Sequence, residues 1–75
     1  MKILVFGMLV EDVGDAQIEF DLVPDLDALK SALISKYPAL KTRQFIIAVN
    51  KQKATENVVL KPTDEIAIIP PFAGG

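Results

Sequence analysis

Pro70-Pro71-Phe72-Ala73-Gly74-Gly75 is the stretch of this 75-residue sequence whose residue types and spacing suggest chemistry. Two consecutive prolines hold a chain extended and cannot donate to a sheet ladder. Six residues in that form reach about 19 Å, at ~3.1 Å per residue, far enough to enter another protein. Gly74 and Gly75 have no Cβ, so a carboxylate on Gly75 can pass through a channel that would stop any other residue. The pattern is that of a handle, with Gly75 bearing the reacting carboxylate and Pro70, Pro71, Phe72, Ala73 and Gly74 threading it. The competing reading is an idle, frayed end, against which the proline spacer argues, because a frayed end needs no stiffening.

The remaining composition removes most self-contained enzymes. With no Cys, His or Trp, the sequence has no thiol nucleophile, no imidazole base, no Cys/His zinc site and no disulfide. No metal ligand set is expected. Lys2 followed by the apolar run Ile3 to Val10 imitates a signal peptide, but Glu11, Asp12 and Asp15 stand where a small-residue cleavage site belongs. No apolar run approaches the ~20 residues of a membrane span. A cytoplasmic domain without a membrane partner is the expectation, and the absence of cysteine fits a reducing compartment.

A net charge of −2 hides a segregation. Glu11, Asp12, Asp15, Glu19, Asp21, Asp25 and Asp27 fall together, and Lys30, Lys36, Lys41, Arg43, Lys51 and Lys53 follow without an acid among them. Such an arrangement can steer a charged partner, although solvated surface is the simpler reading. Nucleic acid is not an expected partner, since the net charge is acidic and most of the five aromatics lie in apolar runs rather than on a stacking platform.

The elements that must position the handle follow from periodicity. Ile3 to Val10 reads as a strand buried on both faces, and Glu11 to Asp15 as a turn. Ala16 to Leu22 alternates, which predicts a half-buried strand antiparallel to the first. Asp25 is the expected N-cap of a helix whose apolar stripe is Leu26, Leu29, Leu33 and Tyr37, ended by Pro38. Ala39 to Gln44 reads as a linker, Phe45 to Val49 as a third strand and Asn50-Lys51-Gln52 as a turn, with a short strand around Lys53 to Thr55. Glu65 to Ile69 is the last strand, with Pro70-Pro71 closing it. That order implies an α+β fold, a mixed sheet packed on one main helix in the ubiquitin-like β-grasp arrangement. The first and last strands should lie parallel and adjacent. Residues 1–69 form the domain and residues 70–75 its tail.

The stretch Leu60 to Gly75, LKPTDEIAIIPPFAGG, closely resembles the C-terminus of the molybdopterin synthase small-subunit family, ubiquitin-like sulfur carriers whose signature is a D-E-V-A-like strand followed by P-P-V-x-G-G. Agreement extends to Ile3-Leu4-Val5-Phe6, Val13-Gly14, the helix after Pro24, and Ala48-Val49-Asn50. Phe72 stands where a smaller aliphatic residue is usual, and Pro62-Thr63 precedes Asp64 where a glycine is common. A sister family, the thiamine-pathway carriers, shares the fold and Gly-Gly but generally lacks Pro-Pro.

The resemblance implies that an activating enzyme uses ATP to join the Gly75 carboxylate to AMP, and that a sulfurtransferase supplies the sulfur that turns it into a thiocarboxylate. The tail then enters the synthase large subunit, in an expected heterotetramer, and gives sulfur to cyclic pyranopterin monophosphate. Two carriers are spent per molybdopterin. Catalytic side chains would belong to the partners, and this chain would bind no permanent cofactor. Phe6 and Ile69, in equivalent phase on adjacent strands, are candidates for a shared docking patch, against the alternative that both belong to the core. Phe72 is a candidate for direct contact. Three other functions stay open: sulfur carriage to thiamine thiazole synthesis, ubiquitin-like modification of protein lysines, and a non-catalytic binding module.

Overall fold

The structure, a computed structural model, describes residues 1–71; Phe72, Ala73, Gly74 and Gly75 of the expected handle lie outside the described residues. Five strands and two α-helices follow in the order β1 (Lys2–Val5), α1 (Leu9–Val13), β2 (Gln17–Glu19), α2 (Leu26–Lys36), a 3₁₀ helix (Pro38–Thr42), β3 (Ile46–Val49), β4 (Gln52–Lys53) and β5 (Ile66–Ile69). They form one sheet of order β2-β1-β5-β3-β4. Only β1 and β5 are parallel, with Ile3 opposite Ile66 and Val5 opposite Ile68. The other pairings are antiparallel. This is the β-grasp arrangement, with first and last strands side by side.

One face of the sheet is the core. Ile3, Val5, Ile47, Ile66 and Ile68 meet Leu9, Leu26, Leu29, Leu33, Leu40 and Leu60 in a single cluster. Burying each such aliphatic side chain contributes roughly 1.5–3 kcal/mol. Every helix among the described residues supplies its buried leucines to this face, so none of them covers the opposite face.

The start of α2 shows how completely the backbone is satisfied. Asp25 is extended at φ −152°, and its side chain accepts from Ala28 N–H at 2.9 Å, as an N-cap should. Asn57, from a distant loop, accepts from Asp27 N–H at 2.9 Å and donates to Asp25 Oδ2 at 3.3 Å. Leu26 N–H reaches Val58 O at 3.0 Å and Leu29 N–H reaches Asp25 O at 3.0 Å. The first four amides of the helix are therefore all spoken for.

The apolar run at the N-terminus departs from expectation. The strand stops at Val5, and Gly7, at φ +59°, turns the chain into α1. Leu9 is fully buried, but on a helix. A continuous apolar run does not distinguish strand from buried helix, and the single glycine inside it marks the break. The expected turn at Glu11 to Asp15 begins only at Gly14, whose φ of +95° and N–H bond to Val10 O at 2.7 Å cap α1.

Elsewhere the corrections are of extent. β2 covers Gln17–Glu19 rather than Ala16 to Leu22, and Leu22 is exposed. The expected linker Ala39 to Gln44 is largely 3₁₀ helix, because Leu40 is drawn into the core. β4 is Gln52–Lys53, and the hairpin before it turns on Asn50 and Lys51, at φ 53° and 69°. Positive φ at both central residues makes it a type I′ turn, whose twist matches that of the strands.

Candidate functional site

The site is the root of the tail and the surface around it. β5 is the middle strand, hydrogen-bonded to β1 on one side and β3 on the other. Ile66 and Ile68, fully buried, lock it to the core. Phe6 N–H donates to Ile68 O at 3.1 Å, the last rung between β1 and β5. Ile69 pairs with Ile46 across β3, and Pro70 and Pro71 then step off the sheet, both half-buried. A proline has no N–H with which to continue a ladder, so the chain is released here by its chemistry. The root of the tail is thus attached to a strand paired on both sides and buried at Ile66 and Ile68.

The uncovered face of the sheet lies beside this root. Register puts Leu4, Ala67 and Ala48 in one row across β1, β5 and β3. Extending the β1–β5 register by one residue past Val5 and Ile68 sets Phe6 opposite Ile69, which itself pairs with Ile46. Two rows of apolar side chains therefore run across the three central strands. Phe6 is 47% exposed, and Leu4, Ile46, Ala67 and Ile69 are half-buried. Phe6 and Ile69 thus stand together on the outer face, as their phase predicted, and a core role for Phe6 does not fit. Leu4, Ile46, Ala48 and Ala67 were not singled out from sequence. The alternation within Phe45 to Val49 carried the signal, masked because both phases are apolar.

Behind Pro70 and Pro71, a cleft of about 540 Å³ is lined also by Gly7, Met8, Thr42, Arg43 and Gln44. Arg43 fixes one wall. Its Nε lies 2.8 Å from Asp12 Oδ2, its Nη2 3.4 Å from Asp12 Oδ1, and its Nη1 3.3 Å from Met8 Sδ. This bond joins the acidic and basic blocks of the sequence. Lys36 Nζ sits 5.4 Å from the Phe20 ring and Lys30 Nζ 6.0 Å from that of Phe45, so these bases rest against the protein's own aromatics.

At the opposite end of β5, Asn50 and Asp64 fasten the turn that feeds the strand. Asn50 Nδ2 donates to Asp64 Oδ1 at 3.0 Å, Glu65 N–H donates to Asn50 Oδ1 at 2.9 Å, and Lys61 N–H donates to Asp64 Oδ2 at 2.8 Å. The Asn50 amide, then the Lys61 N–H, hold the Asp64 carboxyl below its usual range against the opposing effect of desolvation, with the Lys61 charge adding to the lowering.

Among the described residues no three acidic, Cys or His side chains are placed to hold a metal, and no helix is long and apolar enough to cross a membrane. What the described residues present here is an apolar surface beside the point where Pro70 and Pro71 leave the sheet.

Comparison with known proteins agrees with that geometry. A model of the ThiS family matches residues 3–75. The molybdopterin synthase sulfur carrier subunit of Caenorhabditis briggsae is 33% identical over 81 aligned positions, covering 100% of this chain and 96% of that protein. The subunit of the same name from Dictyostelium discoideum is 34% identical over 82 positions, covering 99% and 94%. Among solved structures, the small archaeal modifier protein 1 of Methanosarcina acetivorans superposes with a TM-score of 0.80 at 26% identity, covering 99% of this chain and 94% of that one. SAMP1 from Haloferax volcanii gives 0.76 at 26% identity, covering 99% and 97%.

Proposed function

The chain belongs to the ThiS family, and from that premise we propose that it is the sulfur carrier subunit of a molybdopterin synthase, with the Gly75 carboxylate as the group that is activated and converted. The observation that carries the reading is the tail root. Pro70 and Pro71 leave the middle strand beside an uncovered apolar surface, and Phe72-Ala73-Gly74-Gly75 follows them in sequence.

A carboxylate is a poor electrophile. On the activating enzyme, a Gly75 carboxylate oxygen attacks the α-phosphorus of ATP, pyrophosphate departs, and a mixed anhydride with AMP forms. Sulfide delivered by a sulfurtransferase adds to the acyl carbon and AMP leaves, giving the thiocarboxylate. On the large subunit that sulfur attacks an oxygen-bearing side-chain carbon of cyclic pyranopterin monophosphate, and the carbon–oxygen bond breaks as that oxygen departs. Water then cleaves the acyl–sulfur bond, leaving sulfur on the pterin and returning Gly75 as its carboxylate.

Two carriers supply the two sulfurs, which fits a heterotetramer of two large and two small subunits. The chain itself performs no proton transfer and holds no permanent cofactor. Its contribution is to hold the nucleophile, whose effective concentration at the acceptor far exceeds that of free sulfide. Phe6 and Ile69 dock the body, Pro70, Pro71, Phe72, Ala73 and Gly74 thread, and the setting is cytoplasmic.

A second reading is favoured by one observation, the superposition on small archaeal modifier proteins. There the same adenylate would be attacked by a lysine amine of a target protein, which loses a proton and displaces AMP to form an isopeptide bond. Intact-mass measurement after co-expression with the activating enzyme and sulfurtransferase tests the first reading: we expect a species heavier by one oxygen-to-sulfur exchange, absent when Gly75 is deleted. Purified thiocarboxylate mixed with large subunit and pterin substrate should then yield molybdopterin. No mass change sinks the first reading, lysine conjugates without pterin conversion favour the second, and the absence of both a mass change and conjugates, with no pyrophosphate released by the activating enzyme, sinks both.

A further inference from the structure

We propose that Gly7 is a positioning residue for the tail: the bare backbone of Gly7 is the seat against which Pro70 leaves the body, and that contact sets the course of the chain at Pro70 and Pro71, on which presentation to the activating enzyme depends. The functional half of this statement rests on the reading of the preceding subsection.

Two independent features require glycine here. The backbone at Gly7 has φ +59°, in the left-handed region that glycine and, to a lesser degree, asparagine accept. Separately, a Cβ at this position would lie 2.8 Å from Pro70 Cγ and 3.4 Å from Pro70 Cδ. The first distance is well inside the ~3.5–4.0 Å at which carbon atoms rest. Positive φ alone would make Gly7 an ordinary turn residue, whereas the second feature ties it to the tail.

The direction in which such a clash relaxes can be reasoned out. Pro70 Cγ belongs to a ring closed onto its own backbone nitrogen, so it cannot swing away like the end of a lysine. Room must come from moving either the Phe6–Met8 turn or the main chain at Pro70. The turn is held by Phe6 N–H to Ile68 O at 3.1 Å, Leu9 N–H to Phe6 O at 3.3 Å and Val10 N–H to Gly7 O at 3.1 Å, with Leu9 fully buried beyond it. Pro70 has no N–H and lies past the last paired residue of β5. A side chain at position 7 therefore redirects the tail rather than the body, and any rotation at Pro70 is magnified along the residues that follow. Misplacing a reacting group by about 1 Å can cost up to ~100-fold in rate.

The test uses full-length Gly7→Ala, Gly7→Asn, Pro70→Ala and Gly7→Ala/Pro70→Ala. Gly7→Asn keeps a residue tolerant of positive φ while adding the same Cβ, so it separates clash from backbone strain. ATP-dependent adenylation by the activating enzyme is followed by pyrophosphate release well below each melting temperature, and amide NMR spectra are recorded for each protein alone. Gly7→Ala and Gly7→Asn should each lose about tenfold or more in kcat/KM, while Gly7→Ala in the Pro70→Ala background loses less than threefold. Amide shifts should move at Ile69 and at the residue after Pro71.

A merely structural glycine would lower the melting temperature and leave kcat/KM alone. Wild-type kcat/KM in both single Gly7 variants, or an equal loss in the Pro70→Ala background, overturns the proposal. If even the wild type is not adenylated, the proposed function fails, and the seat is judged by the spectra. Changes reaching Ile69 and the residue after Pro71 support it, and changes confined to Phe6 through Val10 overturn it.

Discussion

Asn50 and Asp64, fourteen residues apart, are joined by a 3.0 Å hydrogen bond from Nδ2 to Oδ1, and the same Asn50 side chain accepts from Glu65 N–H. The bond fastens the β3–β4 hairpin to the turn that launches β5, so the strand carrying the tail is fixed at its start as well as along both edges. Asn50 also tolerates its φ of +53°, where alanine costs about 1 kcal/mol or more.

Replacing Asn50 by Ala should therefore destabilise the fold in a pH-dependent way. Asp64 titrates below its ordinary value of 3.8 in the folded state. Its contribution is accordingly present above that value and is lost as pH falls through the lower folded-state pKa. Urea unfolding from pH 6 down to pH 2 should show the gap between wild type and Asn50→Ala narrowing below about pH 4. A gap constant across that range would mean that Asp64 is not the group being held.

How much of this was legible beforehand depended on whether a residue's role was local. Asp25 as N-cap, Leu26, Leu29 and Leu33 of the stripe and the proline stop are local, and they stand as read, whereas Tyr37, expected as the stripe's last member, is the C-cap outside the helix. The Phe6–Ile69 neighbourhood was readable because phase on two strands survives even when strand ends are misplaced. Asn57 at the head of α2 and Arg43 on Asp12 were not readable, since each bond spans about thirty residues that only tertiary folding brings together. Gly7 was hidden for another reason. A run of apolar residues suits strand and buried helix equally, and the close approach of Pro70 leaves no trace in periodicity.

Removing the two partners of the Asp12–Arg43 pair should have unequal effects. The Asp12 side chain is 10% exposed and that of Arg43 41%. Arg43→Ala strands a nearly buried carboxylate, at a cost of roughly 1–3 kcal/mol. Asp12→Ala leaves a guanidinium that water can reach, at a cost under about 1 kcal/mol. Chemical denaturation of the two variants at low and high salt measures the asymmetry, and equal losses would contradict the burial argument.

The hairpin offers a stabilising change. Lys51 sits at φ +69° in the second central position of the type I′ turn, where glycine is favoured. Lys51→Gly removes a left-handed penalty of about 1–2 kcal/mol and restores roughly 0.4–1 kcal/mol of freedom to the unfolded chain. A net gain of a few tenths to about 1 kcal/mol is expected, seen as a higher urea midpoint at unchanged m-value. A lower midpoint would show that the Lys51 side chain contributes something the turn geometry does not reveal.

Phe6→Asp should separate docking from folding. Phe6 is 47% exposed on the face that no helix covers, so a carboxylate there remains solvated and the melting temperature should change little. If the two apolar rows around Phe6, Ile69 and Ile46 are where partners grip the body, the same substitution buries a charge in each complex. Losing an aromatic anchor at the centre of an interface costs about 2 kcal/mol or more, some thirtyfold in affinity. Binding of the variant to the activating enzyme and to the large subunit, measured separately by calorimetry, should weaken in both cases if, as the proposed function requires, one face serves each in turn. Loss with one partner alone would assign the face to that partner, and unchanged affinity for both would remove Phe6 from the docking surface altogether.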